Sequence, residues 1–249
     1  MVEDNKFQTN VPHITTGDNE KILYPFSPPI FQSEVDPIFV KELIEEGNKL
    51  TIKDDDYNDK LAGNLKYGRS YHYKTDYVRK VEPYLKGFVE RFINGLIGDD
   101  PKNGDIIINN FLNINLGNTK RELGVLRLDS LWINYYKAGD FNPSHVHSCE
   151  VSFVIMCKIP EKIFLEQADS NTELAGYLVF DHGVKITEFS GTDFPIKPYE
   201  NLMFVFPSKL KHYVYPYFVD EERISVSGNF AVISKEQSEK MEEKEYAST

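Results

Sequence analysis

Arg223–Ile233 reads RISVSGNFAVI, and its alternation decides the fold. Side chains two positions apart on an extended strand share a face. Arg223, Ser225, Ser227 and Asn229 therefore fall on one side, and Ile224, Val226 and Phe230 on the other. The apolar side packs on a core, so the polar row must meet water or line a polar cavity. A guanidinium leading two hydroxyls and an amide suits a carboxylate bound at a barrel mouth. A plain solvent-facing edge would show the same alternation. Val125–Tyr136 behaves alike, with Ser130, Trp132, Asn134 and Tyr136 on a mixed aromatic and polar face that reads as the wall of a pocket.

Outward from these two strands, β-branched and aromatic runs continue at 106–114, 151–159, 176–181, 184–189, 202–206 and 211–217. The breaks AGDFNP, DHG, SGTDFP and FVDEE are turn chemistry without linker character. Short strands so spaced predict a mainly β chain of jelly-roll type. Two helices precede them. Asp36 and Pro37 give an N-cap and first turn, after which Phe39, Val40, Leu43 and Ile44 recur at helical spacing up to Gly47. Pro83 is read as the first turn of the second, whose face Leu85, Phe88, Val89, Phe92, Ile93 and Leu96 runs up to Gly98 and must lie on a sheet. Residues 1–234 are expected to form one domain, with a mixed helical part at 1–104 and a β core at 105–234. The charged tail 235–249 is expected to be a frayed helix or disordered, and no role is assigned to it.

Composition narrows the function. With 28 basic against 39 acidic residues, the formal charge of −11 argues against a phosphate-backbone footprint, so no nucleic-acid partner is expected. Two cysteines, Cys149 and Cys157, imply no disulfide framework and a reducing compartment. The N-terminus MVEDNKFQTN lacks a basic start and apolar core, and no apolar run approaches a bilayer span, so no membrane partner and a cytoplasmic location are expected.

The histidines point to a metal. His145 and His147 in DFNPSHVHS, if extended, aim the same way with Cα atoms roughly 6 to 7 Å apart, and can converge on one ion. His212 starts the downstream run at 211–217 and can join them. His13, His72 and His182 have no comparable setting and are expected to be surface or hydrogen-bonded residues.

WINYYKAGDFNPSHVHS, LMFVFPSKLKHYVYPY and ERISVSGNF, in that order, resemble the 2-oxoglutarate and iron(II)-dependent oxygenases related to prolyl hydroxylases, a group of putative oxygenases found in marine bacteria and their phages. The resemblance implies a double-stranded β-helix with Fe(II) at one open end and the N-terminal helices packed on the outer sheet. It implies oxidation of 2-oxoglutarate by O2 to succinate and CO2, coupled to hydroxylation of an unactivated C–H bond. It makes His145 the first ligand, His212 the distal one, and Arg223 with Ser225 the holder of the cosubstrate's far carboxylate. Asn134, Tyr136, Tyr213 and Tyr215 are further candidates for contact with cosubstrate or substrate. The chain departs from the common triad at position 147, where a carboxylate is usual and His147 stands, so Glu150 and Asp140 remain alternatives for the third ligand. A prolyl residue or an amino-acid-like small molecule or peptide is the substrate class the resemblance favours. For a phage-borne copy, the compartment would be the host cytoplasm. The rival readings are a cupin-type three-histidine dioxygenase that uses no 2-oxoglutarate, and a non-catalytic jelly-roll binding or structural protein.

Overall fold

Arg223–Ile233 (β14) is a central strand, hydrogen-bonded along one edge to β7 (Val125–Tyr136) and along the other to β9 (Val151–Lys158). The computed structural model describes residues 13–17, 19–23, 28–58, 61–97, 113–115, 121–166, 174–184 and 191–247. Two antiparallel sheets face each other as a jelly roll. The larger holds eight strands in the order β1 (His13–Gly17), β2 (Glu20–Leu23), β3 (Ile30–Glu34), β12 (Leu202–Pro207), β9, β14, β7 and β4 (Arg69–His72). The smaller runs β11 (Asp193–Ile196), β10 (Leu178–Asp181), β13 (Lys211–Val214) and β8 (Asn142–His145). A separate pair, β5 (Asn113–Asn115) and β6 (Arg121–Leu123), lies outside both.

Each face of the large sheet has its own apolar partner. Odd positions of β7, Leu131 and Ile133, join Ile224, Val226 and Phe230 of β14 in a core covered by two helices, α1 (Pro37–Gly47) and α3 (Thr75–Ile97). Between the sheets, Ile30, Met156, Phe180, Ile196, Phe204 and Phe206 form a second core. That apolar filling stops at one end, where the polar rows of β7 and β14 take over. Gly228 permits the close strand contact there, because a Cβ would stand 2.6 Å from the Phe153 ring and 2.7 Å from the Ser130 carbonyl.

The β7–β14 ladder carries a bulge. Asn229 opposes Ser130 but Phe230 opposes Leu128, so Asp129 has no partner across the ladder. The extra residue flips parity, placing Leu126 and Leu128 on the helical side although Trp132, also at an even position, borders the cavity. Helix α3 pins the bulge: Glu82 accepts the Leu128 N–H at 2.9 Å, and Arg79 donates to the Leu128 carbonyl at 2.8 Å.

The sequence expectations meet the structure unevenly. Helix α1 starts as read, with the Asp36 carboxylate accepting from the Ile38 N–H at 2.8 Å. The second helix starts at Thr75, and Pro83 lies inside it. Tyr77, Val78 and Val81 extend the buried stripe N-terminally, and that burial outweighs the one hydrogen bond a proline removes. DFPI (β11) and NPSH (β8), read as turns, are strands; both are outermost in the small sheet, where a proline costs no ladder bond. The predicted run 106–114 lies outside the described residues except for Asn113 and Ile114, and that at 184–189 except for Val184. In the tail, Lys235–Ala247 forms helix α5 (the short α2, Ile52–Asp55, and α4, Lys162–Glu166, precede it). Cys149 and Cys157 are both free thiols. Among the described residues, no helix is long and apolar enough to cross a membrane.

Candidate metal centre and its cavity

At the open end of the roll, the two sheets supply different chemistry to one cavity of about 120 Å³. The small sheet brings imidazoles. His145 on β8 is the register partner of His212 on β13, and His147 follows just past the end of β8, tied by its N–H to the Ser208 carbonyl at 2.9 Å. One nitrogen from each of the three lies within 4.8 Å of the others. The Nε2 atoms of His147 and His212 are 3.2 Å apart. Two imidazole nitrogens each about 2.1 Å from one ion at a right angle would be roughly 3.0 Å apart, so the spacing fits cis ligands of a single metal.

Two rings are oriented in the same way. His145 Nδ1–H donates to the Pro143 carbonyl at 2.7 Å, and His212 Nδ1–H to the Leu210 carbonyl at 3.0 Å. Each acceptor lies two residues upstream. Both bonds place the free lone pair on Nε2, the tautomer a metal requires. Burial lowers the pKa of all three histidines: His147 to about 4, with the charges of His145 and Lys209 adding to the effect, and His212 well below the ordinary value. They are neutral donors at physiological pH.

The carboxylate alternatives are engaged elsewhere. Asp140 is fully buried and accepts four backbone N–H groups: Lys66 and Tyr67 on Oδ1, Gly68 and Lys137 on Oδ2. It clips the 66–68 segment to the loop after β7. Gly68 is required there, because a Cβ would lie 2.0 Å from the Tyr135 carbonyl oxygen. Glu150 Oε2 accepts from the Val232 N–H at 2.9 Å. Neither joins the histidines, which are the only such cluster among the described residues.

The large sheet brings Arg223. Its residue is 1% exposed, yet among the described residues Nε and Nη1 have no hydrogen-bond partner, and Nη2 reaches only the Met156 sulfur at 3.4 Å. The guanidinium carbon lies 5.4 Å from the centroid of the Tyr136 ring. Burial lowers the arginine pKa, and nearby Tyr136 and Tyr217 oppose that shift. Register sets its neighbours: Arg223 opposes Tyr136, Ser225 opposes Asn134, and Ser227 opposes Trp132. Asn134 Oδ1 accepts from Ser70 Oγ at 2.6 Å, and its Nδ2 faces Ser225 Oγ at 3.5 Å. Burial pushes the Tyr136 phenol up to about 12, so it stays protonated.

Seven of the residues singled out in the sequence, His145, His147, His212, Arg223, Ser225, Asn134 and Tyr136, border this cavity. Tyr213 and Tyr215 do not; their rings pack on each other, centroids 5.4 Å apart. His72 is half-buried, its Nδ1–H donating to the Tyr73 carbonyl at 2.6 Å. Sequence reasoning missed Leu61, Ala62 and Gly63, which line the cavity, and Tyr217, which lies outside its lining and bonds the Arg223 backbone. The Tyr217 hydroxyl lies within 2.6 and 2.9 Å of the Tyr136 and Glu221 carbonyls and accepts the Arg223 N–H at 3.1 Å. It fixes the turn from which Arg223 enters. No alternation marks such a residue, because its work is done by one hydroxyl against backbone.

Residues 130–229 match the model of a family described as putative 2OG-Fe(II) oxygenase, a stretch holding the three histidines and Arg223. That match spans 100 of the chain's 249 residues, and over it the chain is similar to a family whose description names Fe(II) and 2OG. Similar solved structures include a Pseudomonas putida prolyl-4-hydroxylase, at 13% identity over 83% of this chain and 94% of that one, TM-score 0.49. A viral collagen prolyl hydroxylase from Paramecium Bursaria Chlorella virus-1, in complex with 2OG, has 11% identity over 82% and 96%, TM-score 0.49. HygX from Streptomyces hygroscopicus, with nickel, 2-oxoglutarate and hygromycin B bound, has 10% identity over 82% of each chain, TM-score 0.48. A comparison with curated proteins returns no match.

Proposed function

We propose that this chain hydroxylates an unactivated C–H bond of a prolyl or amino-acid-like substrate, free or within a peptide. His145, His147 and His212 would hold Fe(II), and Arg223 would hold the far carboxylate of 2-oxoglutarate. Fe(II) and 2-oxoglutarate together supply the activation of O2, with succinate and CO2 as coproducts. The protein's own share is binding and orientation. Neutral imidazoles leave the dication's charge for a dianionic cosubstrate to balance. Ser225 and Asn134 offer a hydroxyl and an amide beside Arg223, and Tyr136 flanks the guanidinium with its ring. Leu61, Ala62 and Gly63 add to the cavity lining.

The observation that carries the reading is Arg223. A buried cation without a counter-ion costs several kcal/mol. Such a residue is retained where an anion arrives to pair with it, and this one borders the same cavity as the imidazoles. A three-histidine enzyme working without a keto acid would need an acidic substrate to pair that guanidinium, and an incidental cluster leaves it unexplained.

The test is titration of the protein with Mn(II) and then 2-oxoglutarate, wild type against Arg223→Ala. Metal affinity should be kept and 2-oxoglutarate affinity should fall about 100-fold, the weight of two charge-assisted hydrogen bonds at roughly 1.5 kcal/mol each. Equal affinity in both proteins removes Arg223 from the site. Absence of succinate from 2-oxoglutarate with Fe(II) under air, across a substrate panel, favours the cupin-type alternative.

A further inference from the structure

From the metal centre an aromatic path leads outward. The Trp132 ring lies 5.7 Å from His147, the Tyr57 ring 5.9 Å from Trp132, and the His72 ring 5.0 Å from Tyr57. Register explains the line: His72 on β4 is the cross-strand partner of Trp132 on β7, so both rings stand on the cavity side of the sheet. Trp132 is nearly buried and borders the cavity; Tyr57 and His72 are half-exposed.

Asp129 stands near enough to this path for its charge to reach two of the rings. It is the bulged residue of β7, exposed and free of the ladder, and its charge acts on Tyr57 and His72. Its one hydrogen bond is from the Cys149 thiol, at 3.6 Å to Oδ2, and it forms no ion pair with a described residue. The bulge is not slack, since Glu82 and Arg79 hold both backbone groups of Leu128 beside it. Lys209 spends its ammonium on the carbonyls of His147 and Ser148, at 2.9 and 3.1 Å. A second carboxylate, Asp55, also acts on His72. Aromatic faces beside an unpaired carboxylate attract a cation by quadrupole and charge together.

We infer that the substrate carries an ammonium group, seated on Trp132 and Tyr57 with Asp129 as its counter-charge, a few bonds from the carbon presented to the histidine cluster. This rests on the oxygenase reading of the adjacent cavity and specifies what that cavity acts on. A neutral or acidic substrate would find only repulsion or an idle carboxylate at this end.

Trp132 is the single tryptophan of the chain, so its fluorescence reports on the proposed seat without any turnover. The test titrates metal-free protein with choline and with its neutral isostere, 3,3-dimethylbutan-1-ol. Choline should give a saturable change, and the neutral alcohol one about tenfold weaker. Asp129→Asn and Tyr57→Leu, two independent variants, should each weaken choline about tenfold. No saturable response to choline, an equal response to the alcohol, or wild-type affinity in Asp129→Asn overturns the inference. Wild type is also titrated with Mn(II) and 2-oxoglutarate. Failure of that arm alone breaks the oxygenase reading, and failure of the choline arm alone breaks only the substrate assignment.

Discussion

The two walls of the cavity solve opposite problems. On the small-sheet side, His145 and His212 have their Nδ1–H groups bonded to carbonyls and are neutral, so that wall is satisfied before any ligand arrives. On the large-sheet side, Arg223 is buried and charged with two nitrogens unpaired. One wall is finished and the other is held in deficit. The difference shows that burial alone does not mark a binding residue; what sets Arg223 apart is a buried charge without partners that borders a cavity.

That contrast can be broken by substitution. His212→Ala should abolish metal binding, the largest effect, and lower the stability of the metal-free protein by about 1–3 kcal/mol through lost packing against Phe180 and Phe206. Metal titration and thermal unfolding read the two parts. Arg223→Met should do the reverse to the metal-free protein, raising its melting temperature by about 2–6 °C as an uncompensated charge leaves the interior. It should also erase the stabilisation that 2-oxoglutarate gives. A lower melting temperature for this variant would mean that the guanidinium is already satisfied. Tyr217→Phe sharpens the comparison, because it touches only the backbone that delivers Arg223. It should cost about 1–2 kcal/mol in denaturant unfolding and weaken 2-oxoglutarate about threefold to tenfold, with metal affinity unchanged.

The long strands were legible because they are long. Eleven or twelve alternating residues, as in β14 and β7, leave no competing period, and their polar rows named the cavity wall. Short strands such as RSYH and EKIL carry too few alternations to distinguish from loop, and they exist by pairing with neighbours far away in sequence. NPSH and DFPI were hidden by proline, whose tolerance depends on being outermost, a property of the finished sheet. Within the cavity, charged and aromatic residues announced themselves, whereas the part played by Asp140, weighed only as an alternative ligand, was hidden. Its loop setting beside the histidines suggested a ligand, yet its carboxylate serves four backbone N–H groups, and only coordinates reveal that. The bulge at Asp129 was equally invisible, being a mismatch between two strands and a property of neither.

The bonds from His145 to Pro143 and from His212 to Leu210 are short-range in the chain. Each ring takes its aim from a carbonyl on its own backbone segment, without reference to the rest of the roll. Distant loops could be lengthened, trimmed or exchanged while both rings kept their heading, leaving the surroundings of the metal free to diversify around a fixed pair of pointers.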